Sequence, residues 1–132
     1  MNTHIESEES EKSVAQALAL LDAYFEAVNA MDAIALDKVF HNPNVHFSSS
    51  LMRILDTVDM EMDYFTYARQ AGWHHSEWER RDILHAGSDK EHVAGRFKRL
   101  RADGSLISTH DVLMIVTCEA GKWGIKLRSN FL

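Results

Sequence analysis

Two residues of this sequence are candidates for acid–base chemistry. The chain has 8 histidines among 132 residues, and His110 lies in a predicted strand among apolar residues. A partly buried imidazole there serves as a general acid or base, although a core histidine with a satisfied hydrogen bond explains the pattern equally well. Tyr24 borders an apolar helical stripe, from which its hydroxyl can donate to a carbonyl or enolate oxygen. The alternative is a tyrosine whose hydroxyl lies in water.

Four further residues are predicted to contact a ligand. His46 and Ser48 share one face of a short predicted strand, where they either line or fill the mouth of a cavity. Trp78 and Phe97 belong to later strands, and aromatic residues in such positions form core or pocket walls.

No metal or cofactor is expected. The single cysteine, Cys118, excludes a multi-cysteine zinc site. The adjacent His74 and His75 are predicted on a strand, where neighbours point to opposite faces and cannot chelate one ion. The sequence also contains no glycine-rich phosphate loop.

Charge and hydropathy limit the partners. The net charge is −6, and the richest basic run, residues 96–101, alternates between two strand faces, so nucleic-acid binding is not expected. No run of 18 apolar residues predicts a membrane helix. The acidic start of the chain does not resemble a signal peptide, and a cytoplasmic location is expected.

The first seventy residues predict three helices. Residues 1–12 are acidic and serine-rich and are expected to form a disordered tail. The domain, residues 13–132, then begins with Ser13 as the N-cap of a helix of about 18 residues. Asp32 caps a short second helix, and a third runs from about residue 58 to Gly72.

The remaining residues predict a meander of four antiparallel strands, preceded by two short strands. A turn at Asp103 and Gly104 sets Phe97 opposite His110, and a turn at Ala120 and Gly121 sets Met114 opposite Leu127. The predicted inner face therefore consists of Val93, Phe97, His110, Val112, Met114, Val116, Trp123, Ile125, Leu127 and Phe131. A β-bulge would invert part of this assignment.

Three segments carry a resemblance to a known family: residues 23–32 (AYFEAVNAMD), 39–44 (VFHNPN) and 121–125 (GKWGI). Over residues 14–132 the chain resembles the nuclear transport factor 2-like superfamily, which includes polyketide-cyclase-like proteins and ketosteroid isomerase. The resemblance implies an α+β, cystatin-like cone, in which three helices pack on a curved, mostly antiparallel six-stranded sheet.

The resemblance carries over only some functional residues. Tyr24 matches the oxyanion-hole tyrosine of ketosteroid isomerase, whereas the aspartate base of that enzyme falls on Ser48, which has no carboxylate. The nearest candidate for the second acidic group, Asp111, is predicted on the outer face. Isomerase activity of that type is therefore not expected.

Two functions remain open. The first is binding of a small apolar or polyketide-like molecule in the cone, with or without cofactor-free chemistry of the isomerase, cyclase or dehydratase type. The second is a non-catalytic dimeric scaffold or accessory subunit, like the small subunit of a ring-hydroxylating dioxygenase. Leu113 and Ile115, on the otherwise polar outer face, predict a homodimer through the sheet.

Overall fold

The computed structural model describes the backbone of residues 4–132 and the side chains of residues 10–132. Three helices and six strands follow one another along the chain: α1 (His4–Ala30), α2 (Ala33–Val39), β1 (Phe40–Phe47), β2 (Met52–Leu55), α3 (Asp59–Gln70), β3 (His75–Ala86), β4 (Lys90–Leu100), β5 (Leu106–Glu119) and β6 (Lys122–Asn130). This order confirms the predicted α+β class, with three helices on one six-stranded sheet.

The strands lie in the order β2-β1-β6-β5-β4-β3. Every pair is antiparallel except β1 and β6, which run parallel. Phe97 pairs with His110 and Arg96 with Asp111, as the turn at Asp103 and Gly104 predicted. The hairpin signals therefore set the β4–β5 register correctly.

A β-bulge corrects the predicted inner face. Val116 pairs with Ile125 as expected, but the register shifts between Ile115 and Val116, so that Met114 faces Arg128 instead of Leu127. Because side chains alternate along a strand, one extra residue exchanges the faces of everything beyond it. Arg128 is consequently buried, whereas Phe131, predicted inside, is 81% exposed.

Helix α1 begins at His4, nine residues before the predicted start at Ser13. The predicted disordered tail is thus corrected for residues 4–12, and residues 1–3 lie outside the described part. Ser13 is not an N-cap: it is buried in the helix, and its hydroxyl contacts the Gly87 carbonyl and the Glu91 carboxyl. Acidic residues are favoured in the first turns of a helix, which the prediction of a tail did not consider.

The other two helices begin and end near their predicted bounds. The carboxylate of Asp32 accepts a hydrogen bond from the Ala35 backbone at 3.0 Å and caps α2. Gly72, two residues beyond α3, adopts a positive φ of 107°, which glycine tolerates without strain.

The core lies between α1 and the inner face of the sheet. Leu21, Phe25 and Val28 come from one side of the helix and meet Val93 and Ile125 of the sheet. Helical spacing of three and four residues and strand alternation each bring an apolar face to this boundary.

Candidate functional site

A cavity of about 420 Å³ is lined by α1, α3 and the inner face of the sheet. Its apolar walls include Phe25 of α1, Phe65 of α3, and Phe97, Val112 and Met114 of the sheet. Small-molecule sites typically measure about 300–1,000 Å³ and combine apolar walls with a few polar groups. The cone is therefore hollow, with a size that suits a small molecule.

Three basic side chains form a row across neighbouring strands on this wall. His46 of β1 pairs with Arg53 of β2 on one side and with Arg128 of β6 on the other. Residues opposite one another in a sheet project from the same face. All three side chains line the cavity.

A buried ion pair joins this row to helix α3. Arg128 Nη2 donates to Glu61 Oε1 at 2.7 Å, and both side chains are 7% exposed. The guanidinium also lies over the ring of Phe40, 4.7 Å from its centroid. Among the described residues, Glu61 Oε2 and Arg128 Nε have no hydrogen-bond partner. Unpaired polar atoms are costly inside a protein, so a bound molecule that met them would gain from both.

His46 is neutral near pH 7. Burial first, and then the positive charges of Arg128 and Arg53, together lower its pKa from 6.5 to about 4. Asn130 Nδ2 lies 3.1 Å from His46 Nε2. The amide donates to the unprotonated ring nitrogen, which leaves the imidazole proton on Nδ1.

Four of the six predicted site residues line the cavity, namely Tyr24, His46, Ser48 and Phe97. Tyr24 is buried, with its ring stacked on Phe25 at 5.1 Å. Its hydroxyl makes no hydrogen bond to another described residue. Ser48 accepts a hydrogen bond from the Leu51 backbone at 3.3 Å, in the turn between β1 and β2.

The other two predicted residues do not line the cavity. His110 is half-buried, with Nε2 2.8 Å from Ser108 Oγ and its ring 5.2 Å from that of Phe97. Trp78 donates from Nε1 to the Leu21 carbonyl at 3.0 Å and belongs to the packing beneath α1. Tyr24 and His110, the two candidates for acid–base chemistry, therefore do not line the same cavity.

The polar residues that distinguish the site were not predicted from the sequence. Glu61 lies between Val58 and Phe65 on the buried face of α3, and a carboxylate within such an apolar row was a usable signal. Arg128 and Asn130 line the cavity only because of the bulge, and no turn residue in the sequence predicts that bulge. Arg53 follows from the pairing of β1 with β2, but its partner His46 was considered alone.

The sequence predicted neither a metal site nor a membrane-spanning helix. The Nδ1 atoms of His74 and His75 lie 3.0 Å apart; the expectation of opposite faces is wrong because His74 precedes β3 and escapes strand alternation. Within residues 10–132, whose side chains are described, no three His, Cys, Asp or Glu side chains are grouped as metal ligands. No helix within residues 4–132 is long and apolar enough to span a bilayer.

Residues 11–127 match the sequence profile of a family described as NTF2-like protein (DUF6841). A comparison with curated protein sequences finds no match.

Solved structures of the same fold share little sequence with this chain. An NTF2-like protein of unknown function from Pseudomonas putida has a TM-score of 0.72 and 12% identity, covering 92% of this chain and 87% of that one. One from Shewanella oneidensis has a TM-score of 0.67 and 16% identity, with 91% and 99% covered. A protein of unknown function with a cystatin-like fold from Nostoc punctiforme has a TM-score of 0.69 and 13% identity, with 87% and 86% covered. At such identities the likeness shows the fold alone.

Proposed function

This chain belongs to the NTF2-like protein family (DUF6841), and from that premise we propose that it binds a small, partly apolar molecule in the cone. One observation carries the proposal: the Glu61–Arg128 pair is buried in the wall of an open cavity, and each of the two side chains has one polar atom without a partner among the described residues. A protein that served only as a scaffold would be expected to fill its cone.

The two kinds of lining suggest how such a molecule lies. Phe25, Phe65 and Phe97 offer flat apolar surface to a ring or an acyl chain. Glu61 Oε2 can accept a hydrogen bond and Arg128 Nε can donate one. A polyketide-like compound, which carries carbonyl and hydroxyl oxygens on an apolar frame, combines both features.

A thermal-shift screen of hydrophobic carbonyl compounds, followed by calorimetry of the hits, tests the proposal. Val112→Phe places a ring in the cavity, and Leu113→Phe adds the same ring on the outer face of the same strand as a matched control. We expect hits to bind the parent and Leu113→Phe alike and to lose affinity for Val112→Phe.

Two controls make the screen decisive. The melting temperature of Val112→Phe without ligand shows whether the variant still folds. A parent protein that binds no member of the screen, or a folded Val112→Phe variant that binds every hit as tightly as the parent, would contradict the proposal.

Acid–base chemistry is a second candidate function, because Glu61 and Tyr24 both line the cavity. A carboxylate with a free oxygen can take a proton from the carbon beside a ligand carbonyl, while a tyrosine hydroxyl donates to the resulting enolate oxygen. Return of the proton to another carbon gives an isomer of unchanged composition, without a cofactor.

Deuterium exchange separates binding from chemistry. Hits from the screen are incubated in D₂O with the parent or with Glu61→Gln, and deuterium incorporation into each hit is measured by mass spectrometry. Chemistry at Glu61 predicts exchange with the parent and its loss in Glu61→Gln when each protein is saturated with the hit. Binding without exchange would leave the protein a binder only.

The outer face of the sheet supports a homodimer. Leu113 is 37% exposed there and Ile115 is half-buried. A charge at Leu113 would meet its own copy across a two-fold contact, so Leu113→Glu should shift a dimer to monomer in sedimentation. Ile34→Glu, at an exposed position of α2, is the control. A parent that is monomeric at micromolar concentration would remove both the dimer and the scaffold alternative.

A further inference from the structure

The charges that line the cavity are predominantly positive. Among the side chains of its described lining residues, three are guanidiniums, Arg53, Arg99 and Arg128, and one is acidic, Glu61. The chain as a whole carries a net charge of −6. The cavity therefore has a local charge opposite in sign to that of the protein around it.

Glu61 neutralises only one of the three cations. Its Oε1 lies 2.7 Å from Arg128 Nη2. Arg99 donates to the hydroxyl of Tyr64, an uncharged group. Arg53 makes no ion pair or side-chain hydrogen bond with any described residue. At least one guanidinium of the wall is thus available, and Arg128 Nε is also without a partner.

The available donors converge on one row of the sheet. Arg53, His46 and Arg128 occupy paired positions on β2, β1 and β6 and line the same cavity. Two guanidiniums that flank a neutral imidazole present several N–H donors and no acceptor except the imidazole nitrogen that Asn130 already contacts. Such a row suits an oxyanion better than a neutral carbonyl.

We propose that the ligand is an organic monocarboxylate, with its carboxylate on the row of Arg53, His46 and Arg128 and its apolar body against Phe25 and Phe65. This inference rests on the proposed function, because it names the chemical class that the cavity takes. A single negative charge is favoured over a double one, since Glu61 stays beside Arg128 and would repel the second charge.

Matched acids and amides test the charge. The probes are phenylbutanoate, phenylhexanoate and phenyloctanoate, each with its primary amide, measured by calorimetry at pH 7 against the parent, Arg53→Gln and Arg80→Gln. Arg80 lies on β3, is exposed, and pairs with Asp82 at 3.1 Å. It therefore controls for the loss of one positive charge far from the row.

For the parent and for Arg80→Gln we expect each bound acid to be held about tenfold or more tightly than its amide. In Arg53→Gln that preference should shrink toward equality, with the affinity of the amide unchanged. Added salt should weaken the acids and leave the amides unaffected.

The outcomes separate this inference from the proposed function. Amides that bind as tightly as the acids, or an acid preference that Arg53→Gln leaves intact, would overturn the carboxylate assignment while binding in the cone stands. If neither these probes nor the carbonyl compounds bind the parent, the proposed function falls and the inference falls with it.

Discussion

The hydroxyl of Ser13 on α1 donates a hydrogen bond to the carboxyl of Glu91 on β4, which is 0% exposed. Burial raises the pKa of Glu91, although the bonds from Ser13 and from the Gly87 backbone oppose that shift. This contact joins helix α1 to strand β4 of the sheet.

Glu91→Gln should become more stable relative to the parent as the pH rises. Because the folded pKa lies above the unfolded one, the folded chain holds the proton more tightly, and ionisation above that range costs stability. The glutamine amide cannot ionise. Melting temperatures between pH 4.5 and 8.5 measure the difference, which should widen steadily.

Glu26→Gln, on the exposed face of α1, is the control for this comparison. A Glu91→Gln variant that is destabilised equally at every pH would show that the carboxylate itself is needed as an acceptor.

His46 should give the opposite pH dependence. Its pKa falls from 6.5 to about 4 in the folded chain, so the unfolded chain binds more protons between those values and acid favours unfolding there. The full shift corresponds to about 3 kcal/mol, and because His46 is only half-buried we expect about 1–2 kcal/mol.

Urea unfolding in steps from pH 7 to pH 4 checks this prediction. His46→Gln should remove most of the loss, whereas His85→Gln, at an exposed position of β3, should not. Equal slopes in all three proteins would show that His46 titrates normally.

Arg128→Leu should destabilise the protein by about 3 kcal/mol or more, because it leaves the Glu61 carboxylate buried without its partner. Replacing both residues, in Glu61→Leu with Arg128→Leu, removes both charges and should recover most of that loss. A double-mutant cycle by urea unfolding measures the coupling. Losses that simply add would show that the pair is not coupled.

Gly95→Ala should cost about 1–3 kcal/mol. A Cβ at position 95 would meet Trp78 Cζ3 at 2.6 Å. The indole cannot move away easily, since it is stacked on Phe25 at 4.4 Å and bonded to the Leu21 carbonyl. Thermal melts and tryptophan fluorescence should both report the change.

The control is Gly87→Ala, where the nearest atom to the new Cβ is the Lys90 carbonyl oxygen at 3.4 Å. An Ala variant at position 95 as stable as this control would mean that the indole has room to shift.

The parts of the fold that could be predicted depend on sequence signals within one element or one turn. Asp32 predicted the start of α2, and Gly72 predicted the end of α3, because an N-cap and a left-handed stop each depend on a single residue. The turn at Asp103 and Gly104 predicted the β4–β5 register because no shift interrupts the pairing from Lys90 to Arg99.

The unpredictable part depended on distant strands. Arg128 was not on the predicted inner face, since no residue near Ile115 indicates a bulge. The Glu61–Arg128 pair joins residues 67 positions apart, so neither residue looked functional alone. Tyr24, His46, Ser48 and Phe97 were located because each follows from the periodicity of its own element, whereas His110 and Trp78 have the same periodicity but lie outside the cavity.

The parallel pairing of β1 with β6 has a consequence for the order of folding. The strands β3 to β6 follow one another in sequence and can pair through short turns. His46, in contrast, pairs with Arg128 only after a loop of about eighty residues closes. Such closure is entropically expensive and slow compared with hairpin formation. The wall that holds Arg53, His46 and Arg128 should therefore be the last part of the sheet to assemble. A chain caught midway in refolding would have its meander in place and no cavity to bind with.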